Sequence, residues 1–159
     1  DKIATGIITA AEATTYGRTL LAAASSAALP GGEIGYDEIT SNVTVSATSE
    51  SSGTTVISCA AHVFDGAAAM AEFFCPFLQN GASGQTVICL FEGATEIGRL
   101  CESTATGGHA ITGRLRFTPT AASHTYTVTA FRVTSNGTIN ADAGGTGKDL
   151  PAFIRFTKV

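Results

Sequence analysis

Three histidines, four cysteines and thirteen acidic residues are the groups in this sequence that could do chemistry. A hydrolase or metal enzyme needs a nucleophile, a base and an orienting group, or a cluster of ligands. His62, His109 and His124 lie far apart, and none has a partner at HxH or HExxH spacing. Each therefore reads as a hydrogen-bonded structural histidine. Cys59, Cys75, Cys89 and Cys101 form no C-x-x-C pair, which gives zinc or thioredoxin chemistry little support. Buried free thiols fit them, since unpaired cysteine is among the most buried residue types. One or two disulfides between neighbouring strands stay open at this point.

The carboxylates are dispersed in the same way. Asp37, Glu38, Asp65, Glu92 and Asp142 fall at or near expected turns, where acids cap or solvate. Glycosidase chemistry needs two acids at a defined separation in space, and short turns leave little wall for such a site. The glycine-rich run 143–149 is superficially similar to a phosphate loop but lacks its spacing, and no helix follows. It reads as a loop between strands. Phe73, Phe74 and Phe77 read as core. No catalytic residue, cofactor-binding residue or metal ligand is assigned, and the ligand-binding residues are left open. The expectation is a protein that is not an enzyme and carries no cofactor.

Elements must hold these residues, and composition says which kind. The chain has 159 residues, enough for one domain with a substantial core. Only 14% of residues are charged, and tryptophan is absent; serine, threonine, glycine and alanine fill the surface. A net charge of −4 with scattered basic residues gives no stripe for nucleic acid. No apolar run approaches the roughly 20 residues of a membrane helix, and no signal-peptide pattern is visible. The chain opens on Asp1, as a processed form or a fragment would.

Pro30-Gly31-Gly32 divides the chain into an N-terminal segment, 1–32, and a main domain, 33–159. Before the division, residues 10–29 are alanine-rich, with Tyr16, Leu20, Leu21, Ala24 and Ala28 at helical spacing. Thr9 and Glu12 fit a capping box, and Pro30 stops the helix. Such a thin apolar face needs a partner surface, either the domain's own flank or the same helix from other subunits. After the division the pattern is strand and turn. Strands are expected at 42–48, 56–64, 70–78, 86–91, 96–101, 111–117, 123–133 and 151–159. Tyr126, Val128 and Ala130 alternate with Thr125, Thr127 and Thr129, the two-residue period of a half-buried strand. Residues 70–78 are apolar almost throughout, which predicts cover on both faces, and Pro76 marks an edge or a bulge. Eight or nine strands at this spacing predict an all-β antiparallel sandwich, most economically a jelly roll, with a short N-terminal α-helix.

The segments HVFDGAAAMAEFFCPFL (62–78), TVICLFEGATEIGRL (86–100), TPTAASHTYTVTAFRV (118–133) and PAFIRFTKV (151–159) resemble a domain that recurs in tailed-bacteriophage virion proteins, tail-fibre-like and head-fibre-like chains among them. The resemblance covers most of 56–159, in order. TTYGRTLLAAASSAA (14–28) is similar to helical segments that precede the distal domains of tail fibres. The resemblance implies a jelly-roll module on the virion surface, assembled as a homotrimer, structural or adhesive in role. Its partners would be other virion proteins and a host surface glycan or receptor, with no nucleic acid and no membrane insertion. Asn42 and Asn136 fit glycosylation sequons, which carry no meaning in a bacterial host. The expected function is a fibre or spike module in host attachment. The alternative is a decoration protein that stabilises the phage head, and a non-viral lectin or an enzyme on the same scaffold comes third.

Overall fold

A computed structural model describes residues 31–159. The helix expected at 10–29 lies outside the described residues. From residue 33 onward the chain is all-β, in ten strands: β1 (Glu33–Ile39), β2 (Val43–Val45), β3 (Thr54–Val63), β4 (Ala69–Asn80), β5 (Thr86–Glu92), β6 (Thr95–Ser103), β7 (Gly107–Phe117), β8 (Ser123–Arg132), β9 (Gly137–Asn140) and β10 (Ala152–Lys158).

The strands form a sandwich of one six-stranded and one four-stranded sheet. In the larger sheet β7 pairs with β4 from Asn80 to Ala69. The other side of β4 is shared: β10 pairs with its first half and β9 with its second. β1 then adds to β10, and β2 to β9. The smaller sheet runs β3-β8-β5-β6, and every pair in both sheets is antiparallel.

The alternation that predicts β8 is what buries it. Tyr126, Val128 and Ala130 are at most 1% exposed and face the larger sheet, while the threonines face out. Ala152, Ile154 and Phe156 do the same from β10. Phe64, Phe117, Tyr126 and Phe156 meet between the sheets, with centroids 5.3–6.3 Å apart and mostly edge-to-face, the arrangement that ring quadrupoles favour.

Several expectations change. The described residues hold ten strands, because β1 and β9 join the set. The strand expected at 42–48 shrinks to Val43–Val45. Asp37 and Glu38 lie within β1, not at a turn. Residues 70–78 are covered on one face, with Phe77 37% exposed on the other. Pro76 sits in a central strand, where the register with β7 shifts between Cys75 and Leu78, so it marks a bulge and not an edge. β5 is the strand buried on both faces. Its inner residues Ile88 and Leu90 join the main core, and Val87, Cys89 and Phe91 form a second cluster with Phe131 on the outer face.

That outer cluster is covered by the connection between β2 and β3, residues 46–53, which lies over the four-stranded sheet. Arg132 ties it down, donating its backbone N–H to the Ala47 carbonyl at 2.8 Å and its Nε to Ser46 at 3.1 Å. Thr54 Oγ1 accepts the amides of Ser46 and Ala47.

Candidate functional site

The histidines fall in three separate places, each in a short hydrogen bond. His62 Nε2 lies 2.6 Å from Asp37 Oδ2, joining β3 to β1. His109 Nε2 lies 2.6 Å from Ser103 Oγ, joining β7 to β6. His124 Nδ1 lies 2.6 Å from Glu92 Oε1, and its ring stacks on Tyr126 at 5.8 Å. These contacts stitch strand to strand and bring no two histidines together.

Glu92, and then the Thr120 carbonyl 3.0 Å from Nε2, hold the His124 pKa above the ordinary histidine value. A folded pKa above the unfolded one stabilises fully below about pH 6.5 and loses that contribution as pH rises through the folded value. Melting temperature is thus expected to fall as pH is raised across neutrality, and His124→Gln should flatten that limb. A thermal melting series in the two proteins checks it; equal slopes would remove His124 as the cause.

All four cysteines are free. Burial pushes the Cys59, Cys89 and Cys101 thiols up to about 12 and Cys75 to about 11. Thiols so far from ionisation are poor nucleophiles at neutral pH. The run 143–149 is a loop, held by a Lys148–Asp142 ion pair at 3.0 Å and by Gly144 N–H to the Asp149 carbonyl at 3.0 Å. Phe73 is core, whereas Phe74 and Phe77 face outward.

Two features were not visible in residue spacing. The first is a row of aromatic side chains across the outer face of the six-stranded sheet. Tyr36, Phe153 and Phe74 come from β1, β10 and β4, each neighbouring pair of rings 5.3 Å apart. Beside them Glu72 pairs with Arg114 at 2.6 Å and with Arg155 at 2.7 Å.

The second lies on the opposite side of the molecule. Where the 46–53 connection crosses the four-stranded sheet, it leaves an open groove between itself and the tight β5–β6 turn. Phe91, Thr127 and Thr129 form the floor; Glu50–Ser52 and Gly53 make one wall, and Gly93 and Ala94 the other. This recess measures about 250 Å³. A second of about 400 Å³ adjoins it, sharing Glu50, Ser51, Phe91 and Ala94 and adding Glu96. Gly93 turns the hairpin with φ +57°, in the left-handed region.

Arg99 fixes Glu50 by two contacts, Nε to Oε1 at 2.7 Å and Nη2 to Oε2 at 3.2 Å, and the Cys89 thiol donates to Oε1 at 3.3 Å. The arginine, then the thiol, hold the Glu50 carboxyl below the usual range. Desolvation, then the nearby Glu50 charge, push Glu96 up. The ligating atoms of Glu50, Cys89 and Glu96 lie within 4.8 Å of one another. Both Glu50 oxygens are engaged by a cation of the chain's own, so the trio serves as a fixed pair of acids more readily than as a metal cage.

No protein-family model and no curated protein sequence matches this chain. Among solved structures, the C-terminal CBM6 of LamC, a marine laminarinase from Zobellia galactanivorans, is similar at a TM-score of 0.34 and 14% identity, over 78% of this chain and 100% of that one.

Proposed function

We propose that this chain is a surface module of a tailed-phage particle: a jelly-roll subunit of a homotrimeric fibre or spike that makes contact with the host. It acts by binding and not by catalysis. Strand order is the observation that carries the reading. Leaving aside the short β2–β9 pair, β1-β10-β4-β7 faces β3-β8-β5-β6. Early strands interleave with late ones in both sheets, as the double Greek key of capsid and lectin jelly rolls requires. The ordered sequence blocks that resemble virion proteins fall on β3–β4, β5–β6, β8 and β10 of that wrap.

The outer face of the six-stranded sheet favours self-association. Tyr36 is 41% exposed in a row with Phe153 and Phe74, and Phe77, 37% exposed, lies further along β4 over Gly108; exposed apolar patches rimmed by polar groups mark interaction sites. Charges of both signs, Glu38, Glu72, Arg114 and Arg155, surround the row, so a second copy can approach without a block of like charge.

Imaging of purified particles tests the assignment, with density for this domain expected at the distal end of a tail appendage. Density on the capsid lattice would support the decoration reading instead, and particles lacking the chain would sink both. Light scattering is expected to give a trimer at micromolar concentration, and Tyr36→Glu a monomer with an unchanged melting transition. A monomeric parent protein would overturn the trimer.

A further inference from the structure

We propose that the groove on the outer face of the four-stranded sheet, between residues 50–53 and the β5–β6 turn, binds a neutral sugar, one or two rings of a glycan. This deepens the attachment reading and rests on it only for where the glycan comes from; the chemistry of the groove stands on its own residues.

The lining selects the ligand class. Ser51, Thr55, Thr127 and Thr129 bring four hydroxyls, each able to donate and to accept, to one open recess, and Ser52 adds a fifth that already shares a hydrogen bond with Ser49 Oγ at 2.6 Å. Phe91 supplies the apolar part of the floor, and it is 8% exposed. It therefore offers only a small apolar surface for sugar C–H groups to rest on, and the hydroxyls and acids do most of the recognition. Among the described residues the cation at this recess, Arg99, is committed to Glu50, which disfavours an anionic ligand. A purely apolar ligand would strip water from the hydroxyls and return no hydrogen bonds. A ring with hydroxyls on its rim and C–H groups on its face satisfies both requirements.

The acids complete the set. Glu50 is held as a carboxylate by Arg99, an acceptor fixed in place before any ligand arrives. Glu96, exposed, sets its carboxyl within 4.8 Å of that of Glu50 and adds a second polar group to the rim; desolvation, then the Glu50 charge, raise its pKa above that of an ordinary glutamate. The combined recess falls within the size range of small-ligand sites, but it is open on one side. One such site binds weakly; three on a trimer gain through linkage, since the second and third contacts are intramolecular. That makes millimolar affinity per site sufficient for a fibre tip.

The test is a nuclear magnetic resonance titration of the full chain with the methyl glycosides of glucose, galactose, mannose and N-acetylglucosamine, and with their disaccharides. At least one is expected to shift the amides of Ser51, Gly93, Ala94 and Thr127 with a saturating, millimolar dissociation constant. Glu96→Ala and Thr127→Val should each weaken that binding roughly tenfold, the loss of one hydrogen bond of the stronger kind. Both positions lie on the surface of the sheet, and an unchanged amide spectrum elsewhere certifies the fold. Thr112→Ala, on the opposite sheet, should change nothing. Absence of shifts with every sugar would overturn the proposal, as would shifts that Glu96→Ala and Thr127→Val leave intact. The two readings fail separately. Sugar binding by a protein absent from the particle removes the attachment role and keeps the groove; a fibre-tip location without sugar shifts does the reverse.

Discussion

Deletion of residues 153–159 leaves a chain that does not fold. β10 is an interior strand of the six-stranded sheet, laddered to β1 on one side and to β4 on the other. Removing it takes from β1 its only ladder partner among the described residues. It also takes Ile154 and Phe156, both 0% exposed, out of the core. Truncating a buried phenylalanine alone costs about 3–5 kcal/mol, and a whole domain has only about 5–15 kcal/mol in hand. The deletion exceeds that margin through the lost ladders and two core side chains together. Phe156→Ala, which empties the centre of the aromatic cluster, is expected to fold with a melting temperature lowered by on the order of 10 °C. Circular dichroism of the two variants checks both statements. A cooperative melt for the deletion at the parent's temperature would show that β10 is dispensable.

Gly113→Ala is expected to lower the melting temperature measurably although it adds a single methyl. A Cβ at this position of β7 would run into the Leu100 carbonyl oxygen, with the carbonyl carbon at 2.6 Å and Cys101 Cβ at 2.8 Å. The obstacle is the backbone of β6, which cannot rotate away as a side chain can. β6 and β7 are the flanks of different sheets, and the absence of a side chain at 113 lets them close. Overpacking of this kind costs about 1–3 kcal/mol and sometimes more, roughly 2–4 °C of melting temperature per kcal/mol for a domain of this size. Gly93→Asn is the matched control. It also adds a side chain, but nothing lies within 4 Å of its Cβ, and asparagine tolerates the left-handed φ of +57°. Equal melting temperatures for the two variants would show that the β6–β7 approach is looser than the geometry implies.

What the sequence carried and what it hid divide along one line. β5, β8 and β10 were legible because one or both of their faces are apolar and the pattern survives in the chain itself. β1 was not, because EIGYDEI has a glycine and acids where a core face should be. Those residues answer to tertiary partners. Gly35 leaves the space that the His62 ring fills, and Asp37 binds across to β3. β9, four residues in a turn-rich stretch, exists because β4 continues past its Pro76 bulge and offers a free half-edge. The histidines were legible as structural groups, each in a hydrogen bond. The groove was invisible for a different reason. Glu50 and Glu96 come from separate elements, and only the 46–53 connection, folded over the sheet and pinned by Arg132, brings them together.

Asp37 has a consequence beyond the bond it makes. No ladder joins β1 to β3 among the described residues, so the side of β3 turned toward β1 carries backbone donors that a foreign strand could claim. Asp37 Oδ1 accepts the Ala60 amide at 2.8 Å while Oδ2 engages His62. The seam is thereby occupied by a side chain that offers no strand to continue. A protein at high local concentration is exposed to edge-to-edge aggregation in proportion to its open strand edges. Here one carboxylate guards that seam against the addition of a foreign strand.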